Sequence, residues 1–289
     1  MTAPGFPSAP LIALDTLWFQ VAGTICNLQC THCFISCSPT NHAHEMMTLA
    51  SVKDHLAQAE ALGVKEYYFT GGEPFMNPEI FEMLEAALRQ GPVSVLTNGV
   101  LFRPDTAARL KRLSDASEYS LDLRISIDGY DAASNDPIRG AGTFHRILNG
   151  IRHLAQAGLA PVITVTEACE EAGTREGRAK FLRFLTEIGL THPRLKVMPL
   201  LRLGAEQERS RPYASDETLA GVSLSEDETL ALQCTSCRMV TAEGVWVCPI
   251  LLDAPDARMG DTLAGTLRPF ELRHQACHTC HVTGLSCRT

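Results

Sequence analysis

Residues 23–39 read GTICNLQCTHCFISCSP and place cysteines at 26, 30, 33 and 37. The first three, Cys26, Cys30 and Cys33, are spaced C-x3-C-x2-C, directly after an apolar run, LWFQVA (17–22), that reads as a buried strand. Thiols this close together in a loop suggest ligation of a soft metal. Tetrahedral zinc sites pair cysteines as C-x2-C twice, and no second pair precedes position 234, so His32, His42 or His44 would have to complete a zinc site. The other reading is an iron–sulfur cluster. Clusters take cysteine thiolates, commonly four, so three ligands would leave one iron open to a substrate or cofactor.

Working outward from this loop, strand and helix patterns alternate. After LWFQVA come EYYFT (66–70), VSVLT (93–97), DLRISID (122–128), PVITVT (161–166) and LKVMPL (195–200), all strand-like. Helix patterns lie between them. One is capped by Thr48 and stopped by Gly63, and the others cover 78–90, 104–113, 143–156 and 175–188. Short apolar strands alternating with amphipathic helices predict an α/β fold with a parallel sheet wrapped by helices, either open and doubly wound or an incomplete barrel. Function is then expected in the loops after the strand ends. The cysteine loop follows the first strand, and GGEP (71–74) follows the second.

Composition narrows the class. No apolar run approaches the roughly 20 residues that span a bilayer. The opening MTAPGFPSAP lacks a basic start and an apolar signal core, so it reads as a frayed tail of a cytoplasmic protein. The net charge of −8 argues against extensive nucleic-acid binding. Of 11 cysteines, four fall between 26 and 37 and six between 234 and 287, which is a metal pattern and not a disulfide scaffold. Cys37 reads as a spare loop thiol. Cys169 stands apart, as a packing residue or a thiol in a pocket. The polar stretch 203–229 reads as a linker or lid, and the cysteine-rich tail from 230 is too short for a core of its own.

Together, the C-x3-C-x2-C loop after strand one and FTGGEP (69–74) after strand two resemble the radical S-adenosylmethionine (radical SAM) enzymes. The position before the third cysteine is usually aromatic in that family and is His32 here. The resemblance implies a partial (βα)6 TIM-like barrel. It implies a [4Fe–4S] cluster on Cys26, Cys30 and Cys33 whose open iron chelates S-adenosylmethionine (SAM), reductive cleavage to a 5′-deoxyadenosyl radical, and hydrogen abstraction from the substrate. It also implies SAM contacts from Gly71, Gly72, Glu73 and Pro74, and from Asn98, Ser126, Asp128 and Arg139 at later strand ends. Arg139 is expected to fork onto the methionine carboxylate. Glu167 is a further pocket candidate, and Arg202 and Arg211 are candidates for an anionic substrate, or else plain surface arginines.

The C-terminal set is Cys234, Cys237, Cys248, Cys277, Cys280 and Cys287, with two C-x2-C pairs that would also suit a zinc ribbon, aided by His274, His278 or His281. CRMVTAEGVWVCP resembles the opening of the SPASM/twitch extension of radical SAM enzymes, although the full seven-cysteine pattern is not met. The set also resembles the three-cysteine auxiliary site of molybdenum-cofactor cyclases. At least one auxiliary [4Fe–4S] cluster is expected, on Cys234, Cys237 and Cys248 with a fourth ligand from the last trio. Two three-cysteine clusters are the alternative. The expected organisation is a flexible tail (1–14), the radical SAM partial barrel (15–202), a linker or lid (203–229) and the auxiliary extension (230–289). The expected activity is radical chemistry on a small molecule or cofactor precursor, supplied with electrons by a one-electron reductant such as flavodoxin or ferredoxin. The alternatives are a peptide or protein maturase of the SPASM/twitch type and a non-enzymatic zinc-binding module.

Overall fold

Alternating strand and helix patterns dictate a layered α/β structure, and the computed structural model, which describes residues 5–285, follows that order. Its strands are β1 (Ser8–Ala9), β2 (Thr16–Gln20), β3 (Glu66–Thr70), β4 (Val93–Thr97), β5 (Leu121–Ser126), β6 (Val162–Thr166), β7 (Arg194–Met198), β8 (Cys237–Thr241), β9 (Gly244–Trp246), β10 (Arg258–Gly260) and β11 (Phe270–Glu271). Its helices are α1 (Leu49–Ala61), α2 (Ile80–Ala87), α3 (Pro104–Ala116), α4 (Ala132–Arg139), α5 (Thr143–Gln156), α6 (Arg175–Glu187), α7 (Glu206–Arg209), α8 (Glu226–Ala231) and α9 (Gln275–Thr283).

The main sheet has the order β10-β9-β8-β2-β3-β4-β5-β6-β7, and β2 to β7 pair in sequence, all parallel. Successive residues of a strand point to opposite faces. Leu17, Phe19, Tyr67, Phe69 and Ile125 pack with helix residues such as Val52, Leu84 and Ile151 in the larger core. Trp18, Tyr68 and Met239 point the other way and pack with Leu252 and Leu272 of the C-terminal part. The inner face of the sheet is therefore covered by the end of the chain.

Local signals explain most boundaries. Thr48 accepts the Ser51 N–H at 3.2 Å and starts α1. Pro104 sits in the first turn of α3. Helix α2 starts later than its expected position at 78, because Asn77 accepts the Glu79 N–H and ties Val21 and Met47 with its amide. Helix α4 lies outside the expected helix patterns and carries Pro137 within it. Asp131 caps it by accepting the Ser134 N–H at 2.8 Å.

Three organisational expectations need correction. Part of the stretch read as a frayed tail is paired: Ser8–Ala9 lies antiparallel to Phe270–Glu271, and the Ile12 N–H bonds Thr235 O at 2.7 Å. The supposed linker packs on the cysteine loop. The Ala205 N–H bonds Cys33 O at 2.9 Å, and Glu206 is fully buried. The cysteine-rich tail is not a separate unit either, because β8 extends the sheet as a parallel neighbour of β2 with Thr16 opposite Cys237. Among the described residues, no helix is long and apolar enough to cross a membrane.

Candidate functional site

At the end of β2 the chain folds back on itself. Ile25 bridges Ser38, and the Cys26 N–H donates to Ser38 O at 3.1 Å. The GG turn after β3 is stitched onto this loop by Gly72 N–H to Gly23 O at 2.9 Å and Glu73 N–H to Ile25 O at 3.0 Å. Only glycine fits here. A Cβ on Gly72 would lie 1.9 Å from Ile25 O, and Gly71 sits at φ +136°.

Cys26, Cys30, Cys33 and Cys37 all open onto one cavity of about 250 Å³, together with Gly71, Gly72, Asn98, Ser126 and Arg139. Backbone N–H groups already point at the sulfurs, Leu28 N at 3.4 Å from Cys26 Sγ and Cys37 N at 3.3 Å from Cys33 Sγ. The Asn98 amide lies 3.7 Å from Cys26 Sγ and donates to Asn27 Oδ1 at 2.7 Å. A hydrogen bond from Cys37, with help from the backbone of the turn, holds the Cys33 thiol down to about 6, whereas burial pushes Cys26 up to about 12 and also raises Cys30.

Glu73, Pro74 and Asp128 do not line the cavity, contrary to the part expected of them. The Glu73 carboxylate is fully buried and accepts from Thr97 Oγ1 at 2.7 Å, Asn98 N at 2.8 Å and Phe75 N at 3.2 Å. It thus locks the GG turn to the end of β4. Burial pushes its carboxyl up to about 7, against the pull of those donors. Asp128 is fully buried too. It pairs with Arg139 Nε and with His32 Nε2, each at 2.7 Å, and accepts from Thr166 N and Oγ1. Burial alone would raise its carboxyl, but Arg139 and then His32 outweigh burial and hold it well below the usual carboxylate range. The departure from an aromatic residue at position 32 thus has a partner in the fold. Asp128 orients both His32 and Arg139 at the cavity wall.

A second, smaller cavity is lined by Cys234, Cys248, Cys277 and Cys280. Cys237, expected among the surest ligands, does not line it and is buried at the start of β8. Cys287 lies outside the described residues. Burial pushes Cys234 up to about 12 and also raises Cys248 and Cys277. Beside these thiols Arg238, 1% exposed, donates to the carbonyls of Cys234, Cys237, Thr266 and Arg268.

Each thiol set gathers cysteines on one cavity, the donor type that iron–sulfur clusters take. Among the described residues no group of three or more His, Cys, Asp or Glu side chains is arranged around one metal ion. A cubane spreads its thiolates around a larger body and draws on N–H···S bonds such as those to Cys26 and Cys33. Of the histidines offered to zinc, His32 is engaged with Asp128 at 2.7 Å, His44 with Glu243 at 3.1 Å, His274 with Asp256 at 3.1 Å, and His281 with Glu228 at 3.7 Å.

The remaining candidates fall away from the cavity. Cys169 and Glu167 are not in its wall, and Cys169 packs near Val165 and Phe181. Arg202 and Arg211 both pair with Glu217, and Arg202 lies 4.0 Å from the centre of the Tyr213 ring. They hold the 203–229 segment together. Sequence reading missed Arg124, Thr164 and Lys196, which line the cavity from β5, β6 and β7. The inward alternation of those strands was the available signal.

The site is thus a parallel α/β half-barrel that presents three cysteines at the end of β2 with a glycine turn against them. The model of the Radical SAM superfamily matches residues 21–168, and the chain belongs to that superfamily, whose cofactors are a [4Fe–4S] cluster and SAM. Over 138 residues the chain is 37% identical to mycofactocin maturase MftC of Mycobacterium tuberculosis, which covers 47% of this chain and 34% of the maturase. It is 34% identical over 164 residues to the AdoMet-dependent heme synthase of Nitratidesulfovibrio vulgaris, covering 56% of this chain and 41% of the synthase. The matches thus span only about a third to two fifths of these relatives. Among solved structures, SuiB of Streptococcus suis bound to precursor peptide SuiA is similar at TM-score 0.64 and 16% identity, over 88% of this chain and 63% of SuiB. Native anSMEcpe with bound AdoMet and Cp18Cys peptide is similar at TM-score 0.62 and 16% identity, over 94% and 84%. At such identities the likeness is one of fold.

Proposed function

We propose that the chain is a radical SAM enzyme whose Cys26, Cys30 and Cys33 hold a [4Fe–4S] cluster at the mouth of the cavity. The observation that carries this reading is that these cysteines, Gly71, Gly72, Asn98, Ser126 and Arg139 share one cavity. When bound, the cluster supplies one electron for cleaving SAM to methionine and a 5′-deoxyadenosyl radical, which removes a hydrogen atom from the substrate. The chain's own residues do the positioning. The backbone of Gly71 and Gly72 lets a ligand approach closely. Asn98 and Ser126 offer polar contacts, and Arg139, held by Asp128, offers its remaining N–H groups to a carboxylate. Leu200, Leu201, Ile250 and Leu252 supply apolar wall that keeps water from the site.

Cys234, Cys248, Cys277 and Cys280 are proposed to hold one auxiliary [4Fe–4S] cluster, supported by their shared cavity. The substrate is proposed to be a small molecule or cofactor precursor, in keeping with the size of the cavity and with a heme synthase among the relatives. A peptide substrate is the second reading, favoured by the fold shared with SuiB and anSMEcpe, both seen with bound peptides. A cytoplasmic location and a flavodoxin- or ferredoxin-type reductant complete the proposal. The test is anaerobic reconstitution, a count of iron and sulfide, and dithionite-driven release of 5′-deoxyadenosine. Release that survives Cys30→Ala would refute the cluster assignment.

A further inference from the structure

Two asparagine amides meet beside the first cysteine of the triad. Asn27 follows Cys26 in the chain, and Asn98 follows the end of β4. The Asn98 backbone N–H donates to the Glu73 carboxylate at 2.8 Å, and Asn98 Oδ1 accepts the Val100 N–H at 3.0 Å. These two bonds fix the direction of the amide. Its oxygen is committed to Val100, so its NH2 must take the other side. That NH2 lies 2.7 Å from Asn27 Oδ1 and 3.7 Å from Cys26 Sγ. The whole residue is buried, so water does not compete for the amide.

Counting donors sets this pair apart. Two side-chain amides carry four N–H bonds. Atoms of the chain receive two of them, at Asn27 Oδ1 and Cys26 Sγ. Asn27 Nδ2 is buried and has no hydrogen-bond partner among the described residues. A buried amide without an acceptor costs on the order of 1–3 kcal/mol, and this one stands one residue from a cluster ligand, where the acceptor is expected to arrive with the cluster. The sulfur of Cys26 also takes the Leu28 N–H at 3.4 Å, and that of Cys33 the Cys37 N–H at 3.3 Å. Those donors belong to the backbone. The Asn98 donor belongs to a side chain, so a substitution can delete it and leave the loop's main chain untouched.

We propose that Asn98, braced by Asn27, is a positioning residue that sets the reduction potential of the cluster on Cys26, Cys30 and Cys33 through its N–H···S bond to Cys26. This deepens the radical SAM reading and rests on it for the cluster. Reduction adds negative charge to a cluster and its thiolates. A donor aimed at a ligating sulfur therefore stabilises the reduced form more than the oxidised one and raises the potential. Losing the donor should make the cluster harder to reduce.

The test is a redox titration of the anaerobically reconstituted holoenzyme with dithionite, followed by electron paramagnetic resonance. The first cluster is told from the second by the change in its signal on adding SAM. In Asn98→Ala the ratio of reduced to oxidised cluster at a fixed poise is expected to fall about fivefold, which for one electron is roughly 40 mV. Asn27→Ala keeps the donor and removes its brace, so the ratio should fall less, about twofold. A second measurement needs no variant that could fail to load. Asparagine labelled with nitrogen-15 in its side-chain amide should give a nitrogen coupling in the pulsed spectrum of the reduced unmodified protein, and the coupling should persist in Asn27→Ala. An unchanged or raised midpoint in Asn98→Ala, or no coupling in the labelled protein, overturns this proposal alone. A SAM-sensitive signal that survives Cys30→Ala overturns the cluster assignment and this proposal with it.

Discussion

Replacing Arg238 by methionine keeps most of the side-chain volume and removes the guanidinium beside the second thiol set. In the fold this group donates to Thr266 O at 3.2 and 3.0 Å, Cys234 O at 2.9 Å, Cys237 O at 2.7 Å and Arg268 O at 3.1 Å. Hydrogen bonds from a charged donor are each worth about 1.5–3 kcal/mol, and four buried carbonyls would lose theirs. Against this, the variant no longer buries a charge, which recovers several kcal/mol. A net loss of about 4 kcal/mol remains. In a chain of this size 1 kcal/mol moves the thermal midpoint by roughly 2 °C, so the midpoint should fall by about 8 °C. The assay is anaerobic thermal unfolding followed by tryptophan fluorescence, since Trp18 and Trp246 are both buried in the affected core. Arg238→Lys should fall between the two, because one ammonium cannot reach carbonyls on both sides. A shift under about 2 °C for methionine would refute the claim that this guanidinium clamps the strand to the thiol loops.

Four further outcomes follow from the geometry. Serine replacements at Cys234, Cys248, Cys277 and Cys280 should each lose about four irons per chain, whereas Cys237→Ser should keep them, as iron analysis will tell. Gly72→Ala drives a methyl into Ile25 O, so iron loading on the first cysteine set should fall by roughly half or more. Glu73→Ala leaves the donors of Thr97, Asn98 and Phe75 without their acceptor and should cost about 3 kcal/mol in denaturant unfolding. The pKa of His44 is raised by hydrogen bonds to Asp253 and Glu243 that outweigh burial. Its contribution is therefore fully present below its unfolded pKa, about 6.5, and is lost as pH rises through the higher folded value. The midpoint gap between the unmodified protein and His44→Gln should be wider at pH 6 than at pH 9, and a gap that widens with pH would contradict this assignment.

Much of this architecture could be read from periodicity, because strands covered on both faces stay apolar and helices keep one apolar stripe. The six strands from β2 to β7 fall where their runs lie, and the cysteine and glycine motifs sit at the expected strand ends. What escaped reading was non-local. Nothing near Cys237 announces that it will pair with Thr16 across most of the chain. The same distance hid the choice of Cys277 and Cys280 over Cys237 at the second cavity. The family resemblance points Glu73 and Asp128 at SAM, and in sequence a polar residue at a strand end looks the same whether it faces solvent, substrate or another loop. In the fold both are buried and brace their neighbours. Lys196 is inconspicuous inside an apolar run, although the inward phase of β7 sends it into the cavity.

The placement of β8 beside β2 has a bearing on biosynthesis. Until Cys237–Thr241 leaves the ribosome, β2 lacks one of its two neighbours, and the thiols at its tip stand on an open edge. The sheet is finished only when the last part of the chain returns to the first, a slow kind of closure because the contacting segments are far apart in sequence. A chain that stops before β8 leaves the β2 margin and the cysteine loop beside it uncovered.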